Sequence, residues 1–325
     1  MHSALFLAGA ILQLLVGALG LGLLRRLSTR PGRRIVQGLI LAAPLAVLVA
    51  IGGAVGHFAG RDCFLRAPRW DRGLAPALVS GVALLAFGGL ALGGLRLALL
   101  GRVVGRRGLS AGRELEGLVA HLAARAGVPP PRVLVCTLDR PLALVCGLRR
   151  PTVLLSTWMP AHLDRPELEA VLAHELAHIA RRDYLAAWLA TVLRDAFCYL
   201  PASRIVQRQL QRERELACDD VAVAFTGRPL ALASALVKVW QPALGGPRLA
   251  PAPSLVGDGA AFEERIARLL AAPAPSRDTQ VGRPLAVAVG PGLACIGLLV
   301  TGALTLVGGL ALLGCGPASA LGWAL

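Results

Sequence analysis

Residues 164–179 read Asp164-Arg165-Pro166-Glu167-Leu168-Glu169-Ala170-Val171-Leu172-Ala173-His174-Glu175-Leu176-Ala177-His178-Ile179. The first four combine an N-cap acid, a proline in the first turn and a glutamate three residues after the cap, which together fit a helix start. Val171, Leu172, Leu176 and Ile179 then give the helix an apolar stripe that would pack it into a core. On that helix His174 and His178 are four residues apart, so both imidazoles can be directed from one face to one ion, with Glu175 beside them. Zinc held by two imidazoles and a carboxylate keeps a fourth position for water, whose pKa it lowers toward neutrality. A nearby glutamate can take the proton and pass it to a leaving amine. Peptide hydrolysis is the reaction this arrangement serves. The alternative is a surface helix with incidental histidines, but a chain with this one's six histidines would show His-Glu-x-x-His by accident in only roughly three sequences per thousand.

A third protein ligand must come from elsewhere, and the downstream acids concentrate in Glu213, Glu215, Asp219 and Asp220. Glu215 and Asp219 share a helix face, so one carboxylate can ligate the metal while the other hydrogen-bonds a ligating imidazole. Glu213 has Ala217 one turn on, which can hold nothing by hydrogen bonding, and this favours Glu215. The competing reading is a solvated helix face whose acids pair with Arg212 and Arg214. Asp183 either orients a ligand or ends the motif helix. No group is singled out to stabilise an oxyanion; Tyr184, His121 and several arginines are candidates.

Around this centre the chain is that of a membrane protein. Its 325 residues are 16% charged with a mean hydropathy of +0.64, far from a soluble average. The net charge of +15 comes almost wholly from arginines gathered at the ends of apolar runs, where positive charge sets membrane orientation. They are not interleaved with aromatics as in nucleic-acid readers, so no direct nucleic-acid partner is expected. Seven cysteines without a Cys-x-x-Cys pair indicate neither a disulfide framework nor a cysteine zinc site.

Four apolar stretches, 3–24, 35–58, 74–95 and 285–313, are long enough to cross a hydrocarbon core. The first lacks a basic n-region and a small-residue cleavage site, so it is expected to stay as an anchor. Arg25, Arg26, Arg30, Arg33 and Arg34 follow the first span and Arg102, Arg106 and Arg107 the third. The intervening loop has Arg61, Arg66, Arg69 and Arg72 offset by Asp62 and Asp71. This contrast favours external termini and a cytoplasmic middle segment of a multi-pass inner-membrane protein. The run 184–200, interrupted by Arg194 and Asp195, is expected not to cross, but to pack within the catalytic domain or lie along the membrane surface.

The expected fold is therefore an α-helical membrane protein with an inserted α+β, zincin-like metallopeptidase domain, three transmembrane helices before it and one after. The divisions are a three-span module at 1–101, the zinc domain at 102–284, and a fourth span with a short external tail at 285–325. Within the domain, helices are expected at 112–126, from 164 through the motif, at 203–224 with Gly227 just past the end, and at 261–270. Short strands are expected at 132–136 and 152–156.

His174-Glu175-Leu176-Ala177-His178-Ile179 with Arg182-Asp183 following, and Arg214-Glu215-Leu216-Ala217-Cys218-Asp219 further on, resemble the BlaR/MecR-type antirepressor metallopeptidases. The segment from Ala143 to Leu155 and the order of spans are similar as well. The resemblance implies one Zn2+ per chain on His174, His178 and Glu215, Glu175 as general base and Asp219 as partner of a ligating histidine. It also implies a protein or peptide substrate such as a transcriptional repressor, and residues after Pro151 as the edge strand that receives substrate backbone. The antibiotic sensors carry an external penicillin-binding domain after the last span, which this sequence lacks, so any signal is expected from a separate sensor protein or from the bilayer.

Two rivals stand beside that reading. The HtpX and CAAX-protease group shares His-Glu-x-x-His, a distal Glu-x-x-x-Asp and several spans, and implies membrane quality control or processing. The other is a non-catalytic zinc-containing signalling scaffold, against which stand Glu175 and the open coordination position, neither of which a structural zinc site needs.

Overall fold

Helix α5 (Arg165–Arg181) lies at the centre of one of the two units into which the chain divides, and its start is fixed by the local chemistry of its first turn. Asp164 Oδ1 accepts from the Glu167 backbone N–H at 2.8 Å and Glu167 Oε2 accepts from the Asp164 N–H at 2.9 Å, a reciprocal capping box. Glu167 is then tied to a second helix, receiving Ser234 Oγ at 2.6 Å and Lys238 Nζ at 2.7 Å. The computed structural model describes residues 2–26, 33, 35–41, 69–147, 151–181, 183–198, 200–244 and 259–271.

In chain order the described elements are α1 (His2–Arg26), α2 (Arg69–Arg107), β1 (Leu109–Ser110), α3 (Arg113–Ala126), β2 (Arg132–Cys136), β3 (Ala143–Cys146) and β4 (Thr152–Ser156). There follow α4 (Trp158–His162), α5, α6 (Asp183–Ala196), α7 (Pro201–Thr226), α8 (Pro229–Leu244) and α9 (Gly259–Ala271). Contacts divide the chain into one unit of residues 1–92, 190–207 and 286–325 and another of 93–189 and 208–285.

The second unit holds a four-stranded mixed sheet in the order β1-β2-β4-β3. β2 and β4 are parallel, in register Val133↔Val153 and Val135↔Leu155, while β1 and β3 run antiparallel to their neighbours. Strand alternation sorts the side chains by parity. Val133, Ala143, Val153 and Leu155 join the main core with Val119, Leu122, Leu172 and Leu176 from α3 and α5. Leu134, Cys136, Leu144 and Leu154 form a smaller cluster together. On its other sides α5 presents alanines: Ala170 and Ala173 pack with Leu232, Leu236 and Leu269, and Ala177 with Cys218 and Val221. Small side chains there let neighbouring helices close in, and the helix is buried along both its large and its small stripe.

Strands 132–136 and 152–156 form as expected, and the helices expected at 112–126, 203–224 and 261–270 form with ends shifted by one to two residues. Gly227 sits at φ 69° just past α7, where a left-handed residue ends a helix without a Cβ penalty. One expectation is corrected. The residues after Pro151 are not an edge strand: β4 lies inside the sheet because the short β3 pairs along its outer side. Among the described residues β3 is the edge beside α5, with Ala143 and Val145 packed in the core that α5 shares.

In the first unit, Ala196, Phe197 and Leu200, at the bend between α6 and α7, cluster with Ala86 of α2. Gly89 faces the backbone of Ala196 so closely that a Cβ there would overlap it. α6 has 14 residues, about 21 Å at helical rise and short of the roughly 30 Å of a hydrocarbon core. Among the described residues no helix is long and apolar enough to cross a membrane, so the spans expected at 3–24 and 74–95, which fall within α1 and α2, are not found as such. Most of the expected span 35–58 and all of 285–313 lie outside the described residues.

Candidate metal centre

The two histidines of α5 meet two acids of α7, and every group involved is buried: His174 is 1% exposed, Glu175 1%, His178 8%, Glu215 8% and Asp219 3%. The i, i+4 spacing sets the imidazoles edge to face with centroids 4.9 Å apart. Glu215 reaches both, its Oε2 lying 3.3 Å from His174 Nε2 and its Oε1 3.9 Å from His178 Nε2. One ligand atom from each of His174, His178 and Glu215 falls within 4.8 Å of the others, a group that could hold a metal ion. Three facing atoms of this group, His174 Nε2, His178 Nε2 and Glu215 Oε2, are buried and make no hydrogen bond within the protein. Orphaned donors and acceptors of this kind are costly unless something else satisfies them, and two imidazoles with one carboxylate are the set that catalytic zinc takes. The residues fit the metal.

The far side of each imidazole faces a further group, an ion-pair contact for His174 and a hydrogen bond for His178. His174 Nδ1 lies 2.9 Å from Asp219 Oδ1 and His178 Nδ1 3.1 Å from Cys218 Sγ. With these groups at Nδ1, Nε2 of each ring is the nitrogen that could ligate a metal. Glu215 is held from the opposite side by Arg214 Nη2, 2.9 Å from its Oε1. Arg265, on α9, forks onto Asp219 with Nε to Oδ2 and Nη2 to Oδ1 both at 2.7 Å. Arg265 and the Cys218 contact carried no signal in the sequence reading. Arg265 stands 46 residues from its partner on a different helix, and a cysteine eight residues before the end of its helix reads as one more core residue.

Two buried carboxylates therefore face two guanidinium groups, and the electrostatics follow from that balance. Burial raises the carboxyl of Glu215, but the neighbouring His174, His178 and Arg214 outweigh it and hold it well below the usual range. Asp219 is likewise lowered, burial being overcome by Arg265 and His174. For His174, burial opposes the charge but the carboxylates of Asp219 and Glu215 prevail, raising it to about 9. His178 goes the other way: burial lowers it to about 3, which leaves a neutral imidazole suited to ligation. Burial raises Glu175 to about 7, and both its oxygens lack a partner within the protein. A carboxyl titrating near neutrality is poised to exchange a proton at working pH.

The structure thus brings His174, Glu175, His178, Glu215 and Asp219 together. Asp183 begins α6, but its side chain and that of Tyr184 lie outside the described residues. His121 is exposed on α3. The reading of the downstream acids as a solvated helix face fails for Glu215 and Asp219, which are buried, and holds better for Asp220, which pairs with Arg268 at 2.9 Å near the surface.

A family model described as BlaR1 peptidase M56 matches residues 104–239. Among curated proteins, the chain is 35% identical over 177 residues to Protease HtpX homolog 1 of Streptomyces coelicolor, covering 44% of this chain and 57% of that one. It is 31% identical over 243 residues to Protease HtpX homolog of Acidiphilium cryptum, covering 63% and 79%. It is 30% identical over 164 residues to Protease HtpX homolog of Thermococcus kodakarensis, covering 39% and 57%. The matched part of the chain thus spans a little over half the length of two of these three relatives.

Proposed function

Because the chain belongs to the metallopeptidases of the M56 and HtpX type, we propose that it is a membrane zinc endopeptidase that hydrolyses a peptide bond of a protein substrate. The observation that carries this reading is the convergence of His174 Nε2, His178 Nε2 and Glu215 Oε2, all buried and without a hydrogen bond in the protein, beside a Glu175 whose two carboxylate oxygens likewise make none. In the proposed assignment His174, His178 and Glu215 hold one zinc ion and Asp219 orients His174. Bound there, zinc would supply a Lewis acid and bring the pKa of a water in its open position toward neutrality. Glu175 accepts a proton at its free carboxylate and returns it to the leaving amine; burial, which raises its proton affinity to about 7, suits it to both directions of transfer. The substrate backbone is proposed to lie along β3, whose outer side has no strand partner among the described residues. Pairing there would bring the scissile carbonyl toward α5.

The relatives named as HtpX proteases favour a processing or quality-control peptidase over an enzyme dedicated to a repressor. The BlaR1 description of the matching model keeps repressor cleavage as the second reading. The bilayer is proposed as the environment of the first unit, where Leu19, Leu84 and Phe87 are 70–72% exposed, a surface that lipid covers at no cost and water does not. The proposed placement is a multi-pass inner-membrane protein with the zinc domain in the cytoplasm and divisions near 101 and 285. Zinc content measured together with Glu175→Gln tests the core of the proposal. The variant is expected to retain metal and lose proteolysis by about 10²–10⁴-fold, whereas a scaffold would show no hydrolysis in either form.

A further inference from the structure

We propose that Arg265 is a positioning residue of the metal centre: by fixing Asp219, and through it His174, it makes the zinc affinity of the site depend on α9. This rests on the reading of the site as a zinc centre, but concerns a residue beyond the 104–239 segment that the family model matches.

The geometry is that of a relay. Arg265 is 5% exposed, and its Nε and Nη2 each lie 2.7 Å from one oxygen of Asp219. A carboxylate gripped by both oxygens cannot rotate about its terminal bond, and a guanidinium fork imposes its own plane on it. Oδ1, one of the two oxygens so held, is also the atom 2.9 Å from His174 Nδ1. The ring orientation of His174, and the direction of its Nε2, therefore follow from where Arg265 stands. The third nitrogen, Nη1, lies 3.5 Å from Glu215 Oε2, so the same side chain also borders the carboxylate among the candidate ligands.

A guanidinium is expensive to bury, and a buried ion pair is weak evidence of a contribution to stability alone. The rest of α9 has cheaper means of docking. Leu269 is buried with Ala170 and Ala173 of α5, Phe262 stacks on Trp240 with centroids 4.3 Å apart, and Arg212 pairs with Glu264 and Arg268 with Asp220 nearer the surface. Surface pairs of that kind contribute little. Arg265 alone among these contacts reaches a group that touches a candidate ligand. Its burial serves the orientation of His174 beyond what holding the helix requires.

The experiment measures zinc affinity of the full chain in detergent by competition with a chromophoric chelator, with helix content monitored by circular dichroism. Arg265→Met is expected to weaken zinc binding by about 10–100-fold, as loss of a group that orients a ligand does. Arg265→Lys should recover part of this, because a single ammonium cannot grip both oxygens. The double variant Arg265→Met/Asp219→Asn should bind zinc no more weakly than Asp219→Asn alone, since Arg265 acts through Asp219. That double variant carries no stranded carboxylate, so it reports even if Arg265→Met alone does not fold. Arg268→Ala, on the same helix, should leave the affinity unchanged. Unchanged affinity in Arg265→Met, penalties that add in the double variant, or an equal loss in Arg268→Ala would each overturn the proposal. Absence of zinc binding by the parent chain would instead overturn the reading of the site.

Discussion

Leu172 and Leu176 of the motif helix are at most 1% exposed, whereas Leu14, Leu15 and Leu19 of α1 are 53–72% exposed and Leu84, Leu85 and Phe87 of α2 are 46–71% exposed. Leucine-rich helices are thus used in opposite ways in the two units. In the catalytic unit the apolar stripe turns inward and excludes water from a set of buried charges: Glu215, Asp219 and Arg265, with Arg214 at the rim. In the first unit many apolar side chains face outward while Leu24 and Phe197 are buried, and backbones approach closely where Gly89 meets Ala196. One unit hides a polar centre inside an apolar shell. The other brings backbones together and leaves its apolar surface for a surrounding solvent.

If the polar centre is the zinc site, the largest effects should come from its acids and should leave the first unit untouched. Glu215→Ala is expected to lose most bound zinc and all proteolysis, with the helix content of the chain preserved. Glu213→Ala should keep both. Asp219→Ala should lie between, weakening metal binding by about 10–100-fold. Metal analysis of the three purified proteins separates these outcomes. Full zinc occupancy in Glu215→Ala would remove the basis for treating the two units as chemically different.

The converse change attacks the backbone contact. A side chain at Gly89 would overlap the Ala196 backbone, which cannot move aside as a flexible side chain can. Gly89→Val should destabilise the first unit by about 1–3 kcal/mol, the usual range for overpacking, and show it as faster proteolysis at the α6–α7 bend while zinc affinity stays within a few-fold of the parent. A collapse of zinc binding in this variant would mean that the units are not independent. The topology is testable in the same region: reporters fused after Arg182 and after Arg204 are both expected on the cytoplasmic side, since α6, with 14 residues, is too short to carry the chain across.

How much of this was legible in the sequence follows the range of the interactions. The capping box, the motif helix and strands 132–136 and 152–156 rest on local spacing, and the preference for Glu215 over Glu213 on helix-face arithmetic, while the pairing of Glu215 with the histidines was what the family resemblance implied. The misplaced edge strand depended on β3, four residues between Pro141 and Gly147 that are too short to show alternation yet long enough to cover β4. Arg265 was invisible for another reason. Its role exists only through α9 folding back on α7, and in this arginine-rich chain one more arginine on a short amphipathic helix looks like solvated surface. Cys218 was hidden in the same way, its meaning fixed by a neighbour 40 residues away.

The smallest expected effect concerns the polar anchor at the start of the motif helix. Glu167 is buried and joins the Asp164 cap to Ser234 and Lys238. Burial by itself would raise its carboxyl, but the hydrogen bonds from Lys238, Ser234 and the Asp164 backbone prevail and lower it from the ordinary 4.5. A folded value below the unfolded one means that the ionised form stabilises the fold above about pH 4.5, and that this contribution is lost as pH falls through the folded value. Lys238 is 44% exposed, so solvent and salt screen part of the attraction. Glu167→Gln, which keeps an acceptor for the cap but no charge, should therefore cost on the order of 0.5–1 kcal/mol at pH 7. The gap between parent and variant should close as pH falls below 4.5. Thermal midpoints of the zinc-free proteins in detergent at pH 7 and pH 3.5 provide the check. A deficit equal at both values would assign Glu167 a purely geometric capping role and remove charge from the account of how α5 is anchored.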